Sequence, residues 1–130
     1  MRIRSSFLLL IVVFALWMPT QVSASVIFIS ADDNGHEFML VRGDALEISL
    51  PATSGTGYTW QAEPVAGGSV KQMGEPEFKR DSAMPGASGL QVFHFAVGAS
   101  GSGTLELRYL RPWEKSAPAA RIFKIKFIIS

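Results

Sequence analysis

The chain has 130 residues, 48% of them hydrophobic and 18% charged, and it contains no cysteine. That is the length of one domain, too short for the large nucleotide-dependent folds and too apolar for a disordered chain. The absence of cysteine excludes disulfides, a thiol nucleophile and every thiolate metal site, and 12 Lys+Arg against 11 Asp+Glu leave no net field to attract nucleic acid or an anionic membrane.

The first 24 residues read as a secretory signal peptide. Arg2 and Arg4 form a positive start, Phe7 to Trp17 is an unbroken apolar run of 11 residues, and Val22-Ser23-Ala24 sets small residues around a cleavage point. A membrane-spanning helix needs ~20 apolar residues, so this run is too short to be one. Cleavage after Ala24 leaves residues 25–130 as the mature domain, removes two arginines and turns the net charge from +1 to −1. The mature protein is expected to be secreted or periplasmic, to keep no membrane attachment, and to be held by its core alone.

The mature chain predicts an all-β domain. Strands are expected over residues 25–30, 36–41, 46–50, 58–62, 90–97, 105–109 and 123–129. The clearest carry a two-residue alternation: Leu46, Ile48 and Leu50; Phe93, Phe95 and Val97; Leu105, Leu107 and Tyr109; Phe123, Ile125, Phe127 and Ile129. Residues 70–79 read as one edge strand, broken by Gly74 and Pro76. No stretch sustains the 3.6-residue apolar stripe of a helix. About eight short strands with Gly- and Pro-rich turns predict a β-sandwich.

Three connections stand apart from the other turns: Pro51–Gly57, Arg80–Gly89 and Arg111–Ala120. Each is small, polar and rich in Gly or Pro. Alternate connections of a sandwich emerge at one end, so such loops can form a single binding edge. Trp113, beside Pro112, is either an exposed anchor for a partner or a lid folded onto the sandwich end.

In these loops the chain resembles the chagasin-like inhibitors of papain-family cysteine peptidases. The family's first loop carries N-P-T-T-G-Y-x-W, its second G-x-G-G, and its third R-P-W or R-P-F. Here Thr53-Ser54-Gly55-Thr56-Gly57-Tyr58-Thr59-Trp60 matches the second half of the first motif and lacks its Asn-Pro. Gly86-Ala87-Ser88-Gly89 stands at the second, followed by Gln91, Phe93 and Phe95 in the family's spacing. Arg111-Pro112-Trp113 is the third, intact, with Tyr109 before it.

The resemblance implies an immunoglobulin-like β-sandwich with three binding loops at one end. It implies a reversible, non-covalent inhibitor that wedges those loops into a peptidase's active-site cleft. The implied contact residues are Thr53, Ser54, Gly55, Thr56 and Gly57; Gly86, Ala87, Ser88 and Gly89; and Arg111, Pro112 and Trp113. The partner is a papain-family cysteine peptidase, and the inhibitor is expected to be a monomer without cofactor or metal. Gly55 and Gly57 are expected to take positive φ and bend the chain away from a substrate's extended path. Thr56 is placed to hydrogen-bond near the catalytic groups. Arg111 either meets a carboxylate on the target or braces its own loop. Tyr58, Trp60, Gln91, Phe93 and Phe95 are assigned to the fold behind the loops.

Enzymatic readings find little support. His36 and His94 are the only histidines, 58 positions apart, and no G-x-S-x-G elbow is present. The alternative function is a secreted sandwich module that binds carbohydrate or a cell-surface partner through Trp113 and the loops, without inhibitory activity.

Overall fold

The computed structural model describes residues 24–82, 84 and 86–130, so all of the proposed leader but Ala24 lies outside it. Among the described residues nine strands are formed: β1 (Val26–Ser30), β2 (Glu37–Leu40), β3 (Ala45–Thr53), β4 (Thr59–Ala62), β5 (Val70–Gln72), β6 (Glu77–Arg80), β7 (Ser88–Val97), β8 (Gly101–Leu110) and β9 (Arg121–Ile129). They make two sheets. One has the order β1-β3-β7-β5, with β6 also pairing β7; the other is β2-β9-β8-β4.

The alternating residues explain why the two sheets stack. Leu46, Ile48 and Leu50 of β3, Phe93, Phe95 and Val97 of β7, Leu105 and Leu107 of β8, and the β9 series from Phe123 to Ile129 are all buried in one cluster. A pleated strand sends successive side chains to opposite faces, so period-two sequences bury one face of each sheet against the other. The charged residues between them, such as Glu106, Arg108, Lys124 and Lys126, stay on the outer face of the second sheet.

Two features differ from the sequence expectation, and a third goes beyond it. Residues 70–79 form two short strands, not one, because Gly74 turns the chain at φ 74 and Pro76 has no N–H to pair. Both strands nevertheless add to the same edge of β7. Pro51 does not end β3; pairing with β7 continues through Ala52 to Thr53. Two neighbouring pairs are parallel: β1 with β3, and β2 with β9. The short turn after β1 thus carries the chain from one sheet to the other.

Register places the three loops together. Thr53 lies opposite Ser88, Arg80 opposite Gly89, Thr59 opposite Leu110, and Tyr109 opposite Arg121. The loops at residues 54–58, 81–87 and 111–120 therefore emerge at one end of the sandwich.

Candidate functional site

The stem of the first loop is tied across both sheets from below. The Gln91 side chain of β7 is only 7% exposed. Its Oε1 accepts from the Trp60 backbone N–H at 2.9 Å, and its Nε2 donates to the Trp60 carbonyl at 3.1 Å and to Thr59 Oγ1 at 3.0 Å. Gln91 thereby satisfies the free edge of β4 as a neighbouring strand would, while spanning the sandwich. Trp60 Nε1 donates to the Pro51 carbonyl at 2.9 Å, and the Thr53 N–H donates to the Tyr109 hydroxyl at 3.2 Å. Buried polar groups left without such partners would cost ~1–3 kcal/mol each. These residues are the fold behind the loops, as expected.

An aromatic stack continues outward from this base. Trp60 packs on Tyr109 with ring centroids 5.0 Å apart, and Tyr109 stacks on Tyr58 at 5.4 Å. The Arg111 guanidinium covers the far face of this stack, 4.4 Å from the Tyr58 centroid. Its Nε donates to the Thr56 carbonyl at 3.1 Å, and its Nη1 donates to Glu114 Oε1 at 3.2 Å. Of the two roles open to Arg111, bracing is the one formed here: it joins the first loop to the third.

The first loop is thin and closed on itself. Gly55 and Gly57 hold φ of 85 and 82 degrees, as its sequence predicts. The Thr56 hydroxyl donates to the Thr53 carbonyl at 3.0 Å and accepts from the Tyr58 N–H at 3.3 Å. It is engaged within its own turn. Ser54 Oγ donates to the Ala87 carbonyl at 3.4 Å, which links the first loop to the second.

Trp113 is 65% exposed, so it does not close the sandwich end as a buried lid. The tip of its indole instead rests on Gly57, where an added Cβ would collide with Cη2. Gly57 thus serves twice, as a positive-φ turn and as the only kind of residue that leaves room for the ring. Pro112 is exposed beside it.

The second loop divides differently from its motif. Ser88 and Gly89 belong to β7, and Gly89 is buried where a Cβ would strike the Lys79 carbonyl. Gly89 permits close approach of β6 and β7 and offers no surface. The exposed part is a turn in which the Ala87 N–H donates to the Met84 carbonyl at 3.2 Å, with Gly86 at φ 76. Met84 is 72% exposed at this turn, a residue that the motif did not single out. Its position just outside G-x-x-G, beside a Pro-Gly pair, was the available signal.

The loop end thus offers a narrow polar ridge, with an exposed Trp on one flank and an exposed Met on the other. Among the described residues no three His, Asp or Glu side chains stand close enough to hold a metal ion. The arrangement suits insertion into a groove.

Comparison with known proteins agrees with this geometry. Chagasin of Trypanosoma cruzi is 34% identical over 87 residues, spanning 62% of this chain and 76% of that protein. A cysteine protease inhibitor from Entamoeba histolytica shares the fold with a TM-score of 0.73 at 20% identity, covering 85% of this chain and all of that one. PbICP-C, solved in complex with falcipain-2, superposes with a TM-score of 0.54 at 16% identity over 86% of this chain and 96% of its own. Residues 40–127 match the family described as chagasin family peptidase inhibitor I42, a span that holds all three loops and the strands from β3 to β8. The chain belongs to the chagasin family of peptidase inhibitors.

Proposed function

We propose that this protein inhibits papain-family cysteine peptidases reversibly and without covalent chemistry, by seating its three loops in the active-site cleft. The observation that carries this reading is the cross-bracing of the first and third loops into one ridge, with Trp113 projecting at its side. Such an enzyme keeps its thiolate–imidazolium pair in a narrow groove. A blocker for it needs a thin tip and a backbone that denies the thiolate a carbonyl in attack geometry. Residues 54–57 are small, and the two positive-φ glycines bend them away from an extended substrate path. Trp113 adds contact area at small entropic cost because Pro112 pre-sets its backbone. Ser54, Gly55, Thr56, Gly57, Gly86, Ala87, Arg111, Pro112 and Trp113 form the contact edge in this reading, and Met84 joins them. Thr53, Ser88 and Gly89 shape it from within the strands.

The family membership and the falcipain-2 complex of a structural neighbour support the choice of target class. We place the mature protein outside the cytoplasm on the strength of its leader, and expect it to act as a monomer. The test is a titration of purified residues 25–130 into papain with a fluorogenic substrate. Competitive inhibition is expected, with full activity recovered on dilution and no mass added to the enzyme. Glycan binding without any effect on papain, or equal inhibition of serine peptidases, would overturn the reading.

A further inference from the structure

Asp44 is a carboxylate that the loop end does not use. It lies between β2 and β3 and is 4% exposed. Aspartate is rarely buried so deeply unless it is paired with a cation or richly hydrogen-bonded. Oδ2 accepts from the Val41 N–H at 2.9 Å, and the Asp44 N–H donates back to the Val41 carbonyl at 3.0 Å, closing the turn. Oδ1 accepts from the backbone nitrogen of Ser25 at 2.8 Å. Among the described residues Asp44 forms no ion pair with a Lys, Arg or His.

Ser25 is the residue at which the sequence expects the mature protein to begin. We propose that Asp44 is a socket for the α-ammonium group that cleavage after Ala24 creates on Ser25. The inference rests on the signal-peptide reading and is independent of inhibition. Hydrolysis of the Ala24–Ser25 amide by signal peptidase consumes one water, leaves a carboxylate on Ala24 and gives the Ser25 nitrogen the protons of an ammonium. That nitrogen already stands at hydrogen-bond distance from Oδ1, so a neutral N–H contact becomes a charge-assisted pair without movement of the strand. The Ser25 carbonyl is held as well, accepting from the Ala45 N–H at 3.0 Å. β1 is therefore registered on β3 from its first residue. Before cleavage the carboxylate has only neutral donors, and Ala24 packs its methyl 3.3 Å from the site of a Cβ on Gly43. Processing thus adds the missing countercharge to a buried acid and tightens an edge strand.

Other charged groups on the elements packed here include Arg42 in the same turn, Glu37 on β2, the Glu47–His94 pair on β3 and β7, and Lys71 on β5. All are retained in both forms compared below, so they do not contribute to the difference.

The experiment compares the domain starting at Ser25 with a free amine, released from a fusion that leaves no extra residue, with the same domain starting at Thr20. Each is made with Asp44 and with Asp44→Asn, and melting temperatures are read at pH 6.5 in low salt. The Ser25 form is expected to melt about 4–8 °C above the Thr20 form, the shift that one moderate ion pair gives a domain of this size. In the Asp44→Asn background the difference is expected to vanish. Equal melting of the two forms with Asp44 present, or a gap that survives Asp44→Asn, would overturn the proposal. A second measurement needs no Asp44 variant: the α-amine of the Ser25 form is titrated by its reactivity toward an acylating reagent, folded and in urea. Its pKa is expected above the ordinary ~8 only in the folded protein; an unshifted value would also overturn the proposal.

Discussion

The first and third loops are built differently from the second. Between them run the Arg111–Thr56 hydrogen bond, the stack of Arg111 on Tyr58, and the contact of Trp113 with Gly57. Beneath them lie Gln91, Trp60 and Tyr109, which belong to the core. The second loop is closed by its own turn, with the Asp81 N–H donating to the Ser88 carbonyl at 3.0 Å. Its hydrogen bond to the first loop is the long one, 3.4 Å from Ser54 Oγ to the Ala87 carbonyl. A surface ordered before binding loses less entropy on association than one ordered by the partner. The first and third loops are thus held to each other before any partner arrives, while the described residues of the second loop are tied chiefly to their own strand ends.

Substitutions that strike this difference fall in a clear order. Gln91→Leu leaves the Trp60 N–H buried without a partner and its carbonyl with only the long 3.5 Å bond from the Thr59 hydroxyl, and is expected to cost about 3 kcal/mol of folding stability. Urea unfolding measures it, and a loss under 1 kcal/mol would mean that β4 does not depend on this bridge. Trp113→Ala comes next. It should weaken peptidase inhibition by ~2–4 kcal/mol, roughly 30- to 1000-fold, while folding stability changes by less than ~0.5 kcal/mol. The reverse pattern would make Trp113 a structural lid.

Gly57 sharpens the comparison, because its Cβ would collide with the Trp113 ring and its φ disfavours any side chain. The two positions are therefore coupled. A double-mutant cycle of Gly57→Ala with Trp113→Ala should be clearly non-additive in inhibition constant, whereas additivity would separate the loops.

Arg111→Lys keeps the charge and loses the guanidinium's planar stack and its Nε bond. We expect a loss of about 1–2 kcal/mol in affinity that is the same at low and high salt, since the interactions lost are internal hydrogen bonding and stacking. A loss confined to low salt would place Arg111 against a carboxylate of the target instead.

The smallest effect lies far from the loops, on the outer face of the second sheet. Arg108 Nε donates to Glu106 Oε2 at 2.6 Å, and Lys124 Nζ stands 3.3 Å from Glu106 Oε1. The Arg108 hydrogen bond holds the Glu106 carboxyl below its usual range despite some desolvation. A depressed folded pKa stabilises the fold above the unfolded value, ~4.3 for Glu, and this contribution disappears as pH falls through the folded value. Glu106→Gln should therefore remove a small part of the acid sensitivity below about pH 4.3 and leave inhibition untouched. An unchanged acid-unfolding curve would show the pair to be inert.

The strand alternation from Leu46 to Ile129, the bends at Gly55 and Gly57, and the order of the three loop motifs were all legible in the sequence. Each depends on residues close together along the chain, through side-chain period, glycine's freedom at positive φ, or motif spacing. What the tertiary structure decided depends on residues far apart. β1 and β2 are near neighbours in sequence, yet they join opposite sheets as parallel partners of β3 and β9. Gln91 serves as a surrogate strand for β4 from 31 residues away. Arg111 turns inward to Thr56 and Tyr58, across 55 residues of chain, where the sequence left its partner open. Asp44 in the sequence is an ordinary turn aspartate, and only the fold brings Ser25 onto its buried carboxylate. Local propensity and periodicity specify elements and their faces. Which polar groups meet is settled only when distant strands close on one another and every buried donor must find an acceptor.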